Sequence, residues 1–307
     1  MKSTVGKMSA WDFRRQEIIR SRQLYAMIAP YFLLFTAFTV IPVLVSIVYS
    51  FTQFNVLQPA KFIGLENYTR LFLDDPVFLK AIQNTLIMAI IIGPIGYMMS
   101  FIMAWLLNEL PAKLRTLLTV IFYAPSISGN AYVVFRQLFS GDSYGFVNAQ
   151  LLKMGLIYKP ILWLADEKYM MAIVIFVSLW MSLGVGFLSF IAGLQGVDKS
   201  QYEAAEVDGV KNRWQELWFI TLPNMRPQLM FGAVMSVTNA LAVADVTVAL
   251  TGFPSPNYAT HTIINHLNDY GIIRMEMGYA SAIAVLLFFS MLFINRFVQK
   301  VLRKVGT

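Results

Sequence analysis

Residues 24–51 read LYAMIAPYFLLFTAFTVIPVLVSIVYSF, a run without one charged side chain, interrupted only by Pro30 and Pro42. A bilayer core about 30 Å thick is crossed by roughly 20 helical residues, and the apolar centre of a cleaved leader is only about 7–15 residues long. The stretch therefore predicts a retained transmembrane helix. Five further apolar runs of similar length follow, at residues 81–107, 117–138, 170–191, 228–250 and 278–297. The whole chain agrees with them: 57% of its 307 residues are hydrophobic and 13% charged, where a soluble domain carries roughly 25% charged residues. Mean hydropathy is +0.60. The predicted fold class is an all-α membrane protein with about six transmembrane helices, and a soluble fold is excluded.

An even number of spans places both termini on one side. Of the 24 Lys and Arg side chains, sixteen fall on the side of the termini and eight on the other, and loops rich in Lys and Arg stay cytoplasmic. Both termini are thus expected in the cytoplasm of a cell (inner) membrane protein. Residues 11–22 mix Trp11, Phe13, Ile18 and Ile19 with arginines, as a topogenic anchor or a short interfacial helix would. The net charge of +7 has no basic face with interleaved aromatics behind it, which argues against nucleic acid. There is no cysteine, and the two histidines, His261 and His266, have only Asp269 as a close acidic neighbour in sequence, so no metal site is expected. The opposite-side loops 52–80, 139–169 and 251–277 carry aromatic, Pro and Gly punctuation expected of folded caps.

The longest loop on the side of the termini is 192–227. Ser200 and Glu203 have capping-box spacing, Ala204 and Ala205 are strong helix formers, and Gly209 is suited to end a first helix. A second amphipathic helix follows, before Pro223 and Pro227 interrupt the chain. Glu203 and Glu206 offer charge, and Trp214, Leu217 and Trp218 apolar area, to a soluble partner. The same residues would serve equally to connect two spans, and composition alone does not choose.

The pattern Glu203-Ala204-Ala205, Gly209, Ile220-x-Leu222-Pro223 resembles the EAA loop of binding-protein-dependent ABC importer permeases. One feature departs from that pattern: ten residues rather than nine separate Gly209 from Ile220, which places an extra residue near Lys211 or Asn212. Ala29-Pro30-Tyr31, Ile41-Pro42, residues 62–68 (FIGLENY), Asn84-Thr85, Trp163-Leu164 and residues 278–282 (GYASA) resemble the branch holding the first membrane subunits of maltose, glycerol-3-phosphate and oligosaccharide importers. Thr251-Gly252-Phe253-Pro254 has Phe where that branch often has a second Gly. The resemblance implies a type I importer permease fold, with residues 1–23 a cytoplasmic basic segment. Residues 24–298 would be a six-helix domain with coupling loop 192–227, and 299–307 a cytoplasmic tail. It also implies that Glu203, Ala204, Ala205, Gly209, Ile220, Leu222 and Pro223 couple to an ATPase. The implied partners are a second homologous permease, two ATPase subunits that bind ATP and Mg, an extracytoplasmic solute-binding protein, membrane lipid and a carbohydrate, most simply an oligosaccharide.

No phosphate-binding Gly-rich loop, Ser/His/Asp set or His-Glu-x-x-His motif occurs in the sequence, so no catalytic residue and no cofactor are assigned to this chain. Sugars are held by aromatic faces and hydrogen-bonding side chains, which makes Tyr123, Ser126, Ser128, Asn130, Trp180, Asn239 and Asp245 candidates for a substrate pathway. Asp245 is the strongest, because an acid inside an apolar run costs roughly 2.5–3.5 kcal/mol on insertion scales and should face protein or water. Gly93-Pro94, Gly184 and Gly186 are expected at close helix contacts. The rival readings are an ion-driven secondary transporter, which calls for more embedded ionisable groups, and a membrane enzyme of lipid or glycan metabolism.

Overall fold

The structure, a computed structural model, describes residues 11, 20–128 and 131–302. Most of the basic segment 1–23, Asn130 and the last residues of the tail lie outside the described residues. Four helices are long and apolar enough to span: Arg22–Tyr49, Pro76–Asn108, Glu167–Gln195 and Met277–Leu302. Two bent pairs supply the third and fifth crossings, Ala112–Ile127 with Ala131–Leu138, and Arg226–Leu241 with Asp245–Thr251 at 41°.

Three of the six crossings are interrupted. The third span leaves the helix at Ser128, whose backbone is extended (φ −84°, ψ 104°). The fourth is interrupted between Trp180 and Val185, with Gly184 at φ −101°, ψ −142°. The fifth is interrupted between Leu241 and Asp245, with Ala244 at φ −141°, ψ −45°. Hydropathy averaged over a span-length window passes over such short breaks, and at 242–244 the side chains themselves stay apolar.

The centre of the bundle is built by the second, fourth and fifth spans. Phe190 is almost fully buried and meets Tyr97 and Phe101 edge-on, at 5.4 and 5.6 Å between ring centres. The face opposite its ring belongs to Gly232, where a Cβ would come within 2.3 Å of Phe190 Cζ. Gly186 also packs on Gly232, and Gly93 on Ala240, as expected for small residues at helix contacts. Beside Pro94, the Ser236 hydroxyl donates to the Gly93 carbonyl at 2.7 Å.

Each loop on one face is closed by a buried asparagine, and the three loops expected as caps are folded. In the first, Thr52–Gln53 pairs antiparallel with Lys61–Phe62, and Asn67 Nδ2 donates to the carbonyls of Ser50 and Thr52 at 2.9 and 3.0 Å. In the second, Asn148 donates to the carbonyls of Ser140, Asp142 and Ile161 and accepts from the Ile161 amide and Trp163 Nε1–H. Asn84 reaches the third, donating to the carbonyls of Tyr258 and His261, both at 2.9 Å. A buried amide side chain satisfies several backbone groups at once, which a loop without ladder hydrogen bonds requires.

The two histidines find their acid far away in sequence. His266 Nε2 lies 3.0 Å from Asp75 Oδ2, and the Tyr279 hydroxyl donates to the same oxygen at 2.7 Å. Asp75 also caps the second span, accepting from the Phe78 amide at 2.9 Å. His261 Nε2 stands 3.4 Å from His266 Nδ1, and the Phe253 ring stacks on His261. Asp269, the neighbour suggested by sequence, pairs with Arg274 instead. Burial works to raise the Asp75 pKa, but the bonds from His266, Phe78 and Tyr279 outweigh it and hold the carboxyl well below the usual range. Burial, and then His266, push His261 down to about 4.

Two predictions follow from this packing. Gly232→Ala should lower the thermal stability of the purified protein by about 1–3 kcal/mol, the usual cost of overpacking a filled core. Adding Phe190→Leu should recover part of the loss, as read by unfolding in detergent. On acidification both shifted groups act in the same direction, since the unfolded chain takes up protons that the folded cap refuses. The His261 contribution should fade between about pH 6.5, its unperturbed value, and about 4, with the Asp75 contribution lost below the ordinary carboxylate range. Intrinsic-rate-corrected hydrogen exchange of residues 255–270 should rise across that window, and His261→Gln should flatten its upper part.

Candidate functional site

On the face opposite the caps, residues 199–224 form an elbow between the fourth and fifth spans. Its first helix, Lys199–Val207, is capped by Asp198, whose side chain accepts from the Ser200 amide at 3.0 Å. The expected Ser200/Glu203 capping box is therefore not formed: Asp198 lies two residues ahead and takes the cap, which leaves Glu203 on the exposed surface. Gly209 ends the helix at φ +96°. Its amide bonds to the Glu206 carbonyl and the Val210 amide to the Ala205 carbonyl, the paired closure that a left-handed residue permits.

Asn212 caps the second arm, Arg213–Glu216, which runs into a π-turn at Leu217–Thr221. A turn of this kind closes over one residue more than an α turn. The two arms are tied together by the hydroxyls of Tyr202 and Thr221 at 2.9 Å and by Asn224 donating to Gln201 at 2.6 Å. Arg213 bridges Glu216 at 2.9 Å and Glu109, at the end of the second span, at 2.5 Å.

The coupling candidates divide into two groups. Glu203, Ala204 and Gly209 are exposed and Ala205 is half-buried, whereas Ile220 is buried and Leu222 and Pro223 are half-buried. The first group forms an outward face; the second seats the elbow on the bundle. Leu217, expected as partner-facing area, is buried. Trp214 packs on Trp105 at 5.4 Å, and Trp214, Leu217 and Trp218 line an apolar groove with Tyr97, Phe101 and Trp105.

Within the bundle the three helix breaks converge. Ile127 and Tyr132, Met181, Ser182 and Gly184, and Ala242 to Asp245 all border one cavity of about 400 Å³. Of the pathway candidates, Tyr123, Ser126, Asn239 and Asp245 line it. Trp180 does not: it is half exposed on another side of its helix. Ser128 is likewise absent from the lining, and Asn130 lies outside the described residues. Tyr97, Ser100, Tyr132, Ser178, Ser182 and Ser236 join the lining without having been singled out from sequence. A serine one position from a helix break reads like any helical serine until the fold shows which way it faces. Ser178 Oγ is buried with no protein partner.

The comparisons agree with this geometry. The family model described as "Binding-protein-dependent transport system inner membrane component" matches residues 96–307. The chain is 32% identical to the lactose transport system permease protein LacF of Rhizobium radiobacter, over 85% of this chain and 87% of the relative. It is 28% identical to the arabinooligosaccharides transport system permease protein AraP of Bacillus subtilis (strain 168), over 95% and 91%. A solved chain from a bacterial ABC transporter involved in import of the acidic polysaccharide alginate superposes with a TM-score of 0.75 at 26% identity, covering 95% of this chain and 99% of that one. With its broken spans meeting at one cavity and a polar elbow locked to the bundle, the chain belongs to the family of binding-protein-dependent transport system inner membrane components.

Proposed function

We propose that this chain is the permease subunit through which an ATP-driven importer passes an oligosaccharide, and that its elbow receives the push of a separate ATPase. The observation that carries the reading is the elbow itself. Glu203, Ala204 and Gly209 present an exposed face, while Ile220, Tyr202–Thr221 and Arg213–Glu109 fasten that face to the ends of the spans. A push on the first arm is therefore passed to the second and fifth spans, which border the cavity.

In this reading the elbow face is cytoplasmic, with both termini, and the caps meet a solute-binding protein outside. A second, homologous permease supplies the other half of the path, and two ATPase subunits bind ATP and Mg. The hydroxyl and phenol groups around the cavity match the donor and acceptor pattern of sugar hydroxyls. The proposed units are residues 1–23 as a basic segment, 24–298 as the transport domain with loop 192–227 as its coupling element, and 299–307 as a tail. An ion-driven transporter receives no support from the cavity, where Asp245 is the single charged residue among the described ones.

Two experiments test the proposal. In the reconstituted importer, Glu203→Lys should cut transport and receptor-stimulated ATP hydrolysis by at least about tenfold, the effect of roughly 1.4 kcal/mol lost at an interface. The receptor's affinity for sugar should stay unchanged, and full coupling in that variant would overturn the assignment. The chain has no native cysteine, so single-cysteine variants report sidedness directly. Val207→Cys should react with a membrane-impermeant thiol reagent only in inside-out vesicles, and Tyr158→Cys, on the second cap, only from the opposite side.

A further inference from the structure

Resting on the reading above, we infer that this subunit's half of the path is matched to uncharged glycosides and repels sugars bearing carboxylate, sulfonate or phosphate groups, with Asp245 setting the sign. Apart from Asp245, the polar lining consists of neutral hydroxyls, phenols and the amide of Asn239. No Lys, Arg or His borders the cavity among the described residues, and the two residues between Ile127–Ser128 and Ala131 that are not described, Gly129 and Asn130, carry no charge either.

An anionic sugar entering such a space loses water and meets no cation to replace it. Charge-assisted donors, above all the fork of an arginine, are what proteins use for carboxylates and phosphates. Arg136, on the second half of the third span, borders a different cavity beside the second cap, with Ser140, Leu162 and Thr251. Among the described residues, no basic side chain forms an ion pair with Asp245; the pairs present are made by Glu276, Glu109, Glu216, Asp75 and Asp269. Its charge thus acts on whatever occupies the cavity.

The fold does not decide this property. The solved transporter of similar fold imports an acidic polysaccharide, so one scaffold serves cargo of either kind and the lining side chains must set the preference. Neutral sugars need only groups that both donate and accept, and the serines and tyrosines here are of that type.

The absence of cysteine allows the local potential to be read without knowing the cargo. In the assembled importer, Asn239→Cys places a thiol at an exposed position on the cavity wall. Its reaction rates with a trimethylammonium and a sulfonate methanethiosulfonate reagent, each divided by the rate with a free thiol, give a ratio. With Asp245 intact the cationic reagent should be favoured on the order of tenfold, as expected for one unit charge several ångströms away in a partly aqueous site. The isosteric Asp245→Asn should bring the ratio near one, and Ser182→Cys should give the same pattern from a second wall. A ratio near one or inverted with Asp245 present, or one unchanged by Asp245→Asn, would overturn the inference.

Protection against an uncharged thiol reagent extends the test to sugars. A neutral glucose pentasaccharide should slow labelling, and a uronic-acid pentasaccharide should do so only in Asp245→Asn; equal protection by both with Asp245 intact would also overturn the inference. Protection by neither would count against the sugar reading of the previous section, while the reagent ratio would still decide the sign of the path.

Discussion

Hydrocarbon can neither donate nor accept a hydrogen bond, and this constraint organises the protein. A helix interrupted inside a bilayer exposes amides and carbonyls, at a cost of several kcal/mol for each group left unsatisfied. Three spans of this chain are nonetheless interrupted, after Ile127, at 181–184 and at 242–244, and residues at or beside each interruption border a common cavity. Gathering the breaks into one place allows a single polar space to serve all of them. The same space then holds the hydroxyls and the carboxylate that a passing solute would meet.

The two faces of the bundle solve a related problem by different means. On the cap face, where only the first loop holds a short strand pair, Asn67, Asn148 and Asn84 each collect two or more backbone groups. The Asp75–His266–His261 line adds a join between the start of the second span, the third cap and the last span. On the elbow face, the fastening comes from side-chain bonds between the arms and from buried Leu217, Ile220 and Met225. Both faces are thereby tied to the spans that border the cavity.

How much of this was legible beforehand differs from element to element. The six crossings, the elbow, the ending of its first helix at Gly209 and four cavity residues, Tyr123, Ser126, Asn239 and Asp245, could be read from residue type and spacing. The fifth-span break could not, because Ala242, Val243 and Ala244 are as apolar as the helices they separate. The cap at Asp198 was missed because Ser200 with Glu203 satisfied the same pattern two residues later, and a local rule cannot rank two overlapping solutions. Trp180 looked like a sugar platform by type alone, but the rotation of its helix turns it away from the cavity.

The sequence by itself determined that this is a membrane protein with about six crossings and a two-armed elbow, since these depend on the length of apolar runs and on local backbone preferences, while the EAA character of the elbow rests on its resemblance to a family pattern. Tertiary structure alone decided which polar groups share a space. Asp75 meets His266 across 191 positions, and serines from four different spans border one cavity. Contacts of that range arise from how helices rotate and pack against each other, and no spacing along the chain encodes the rotation.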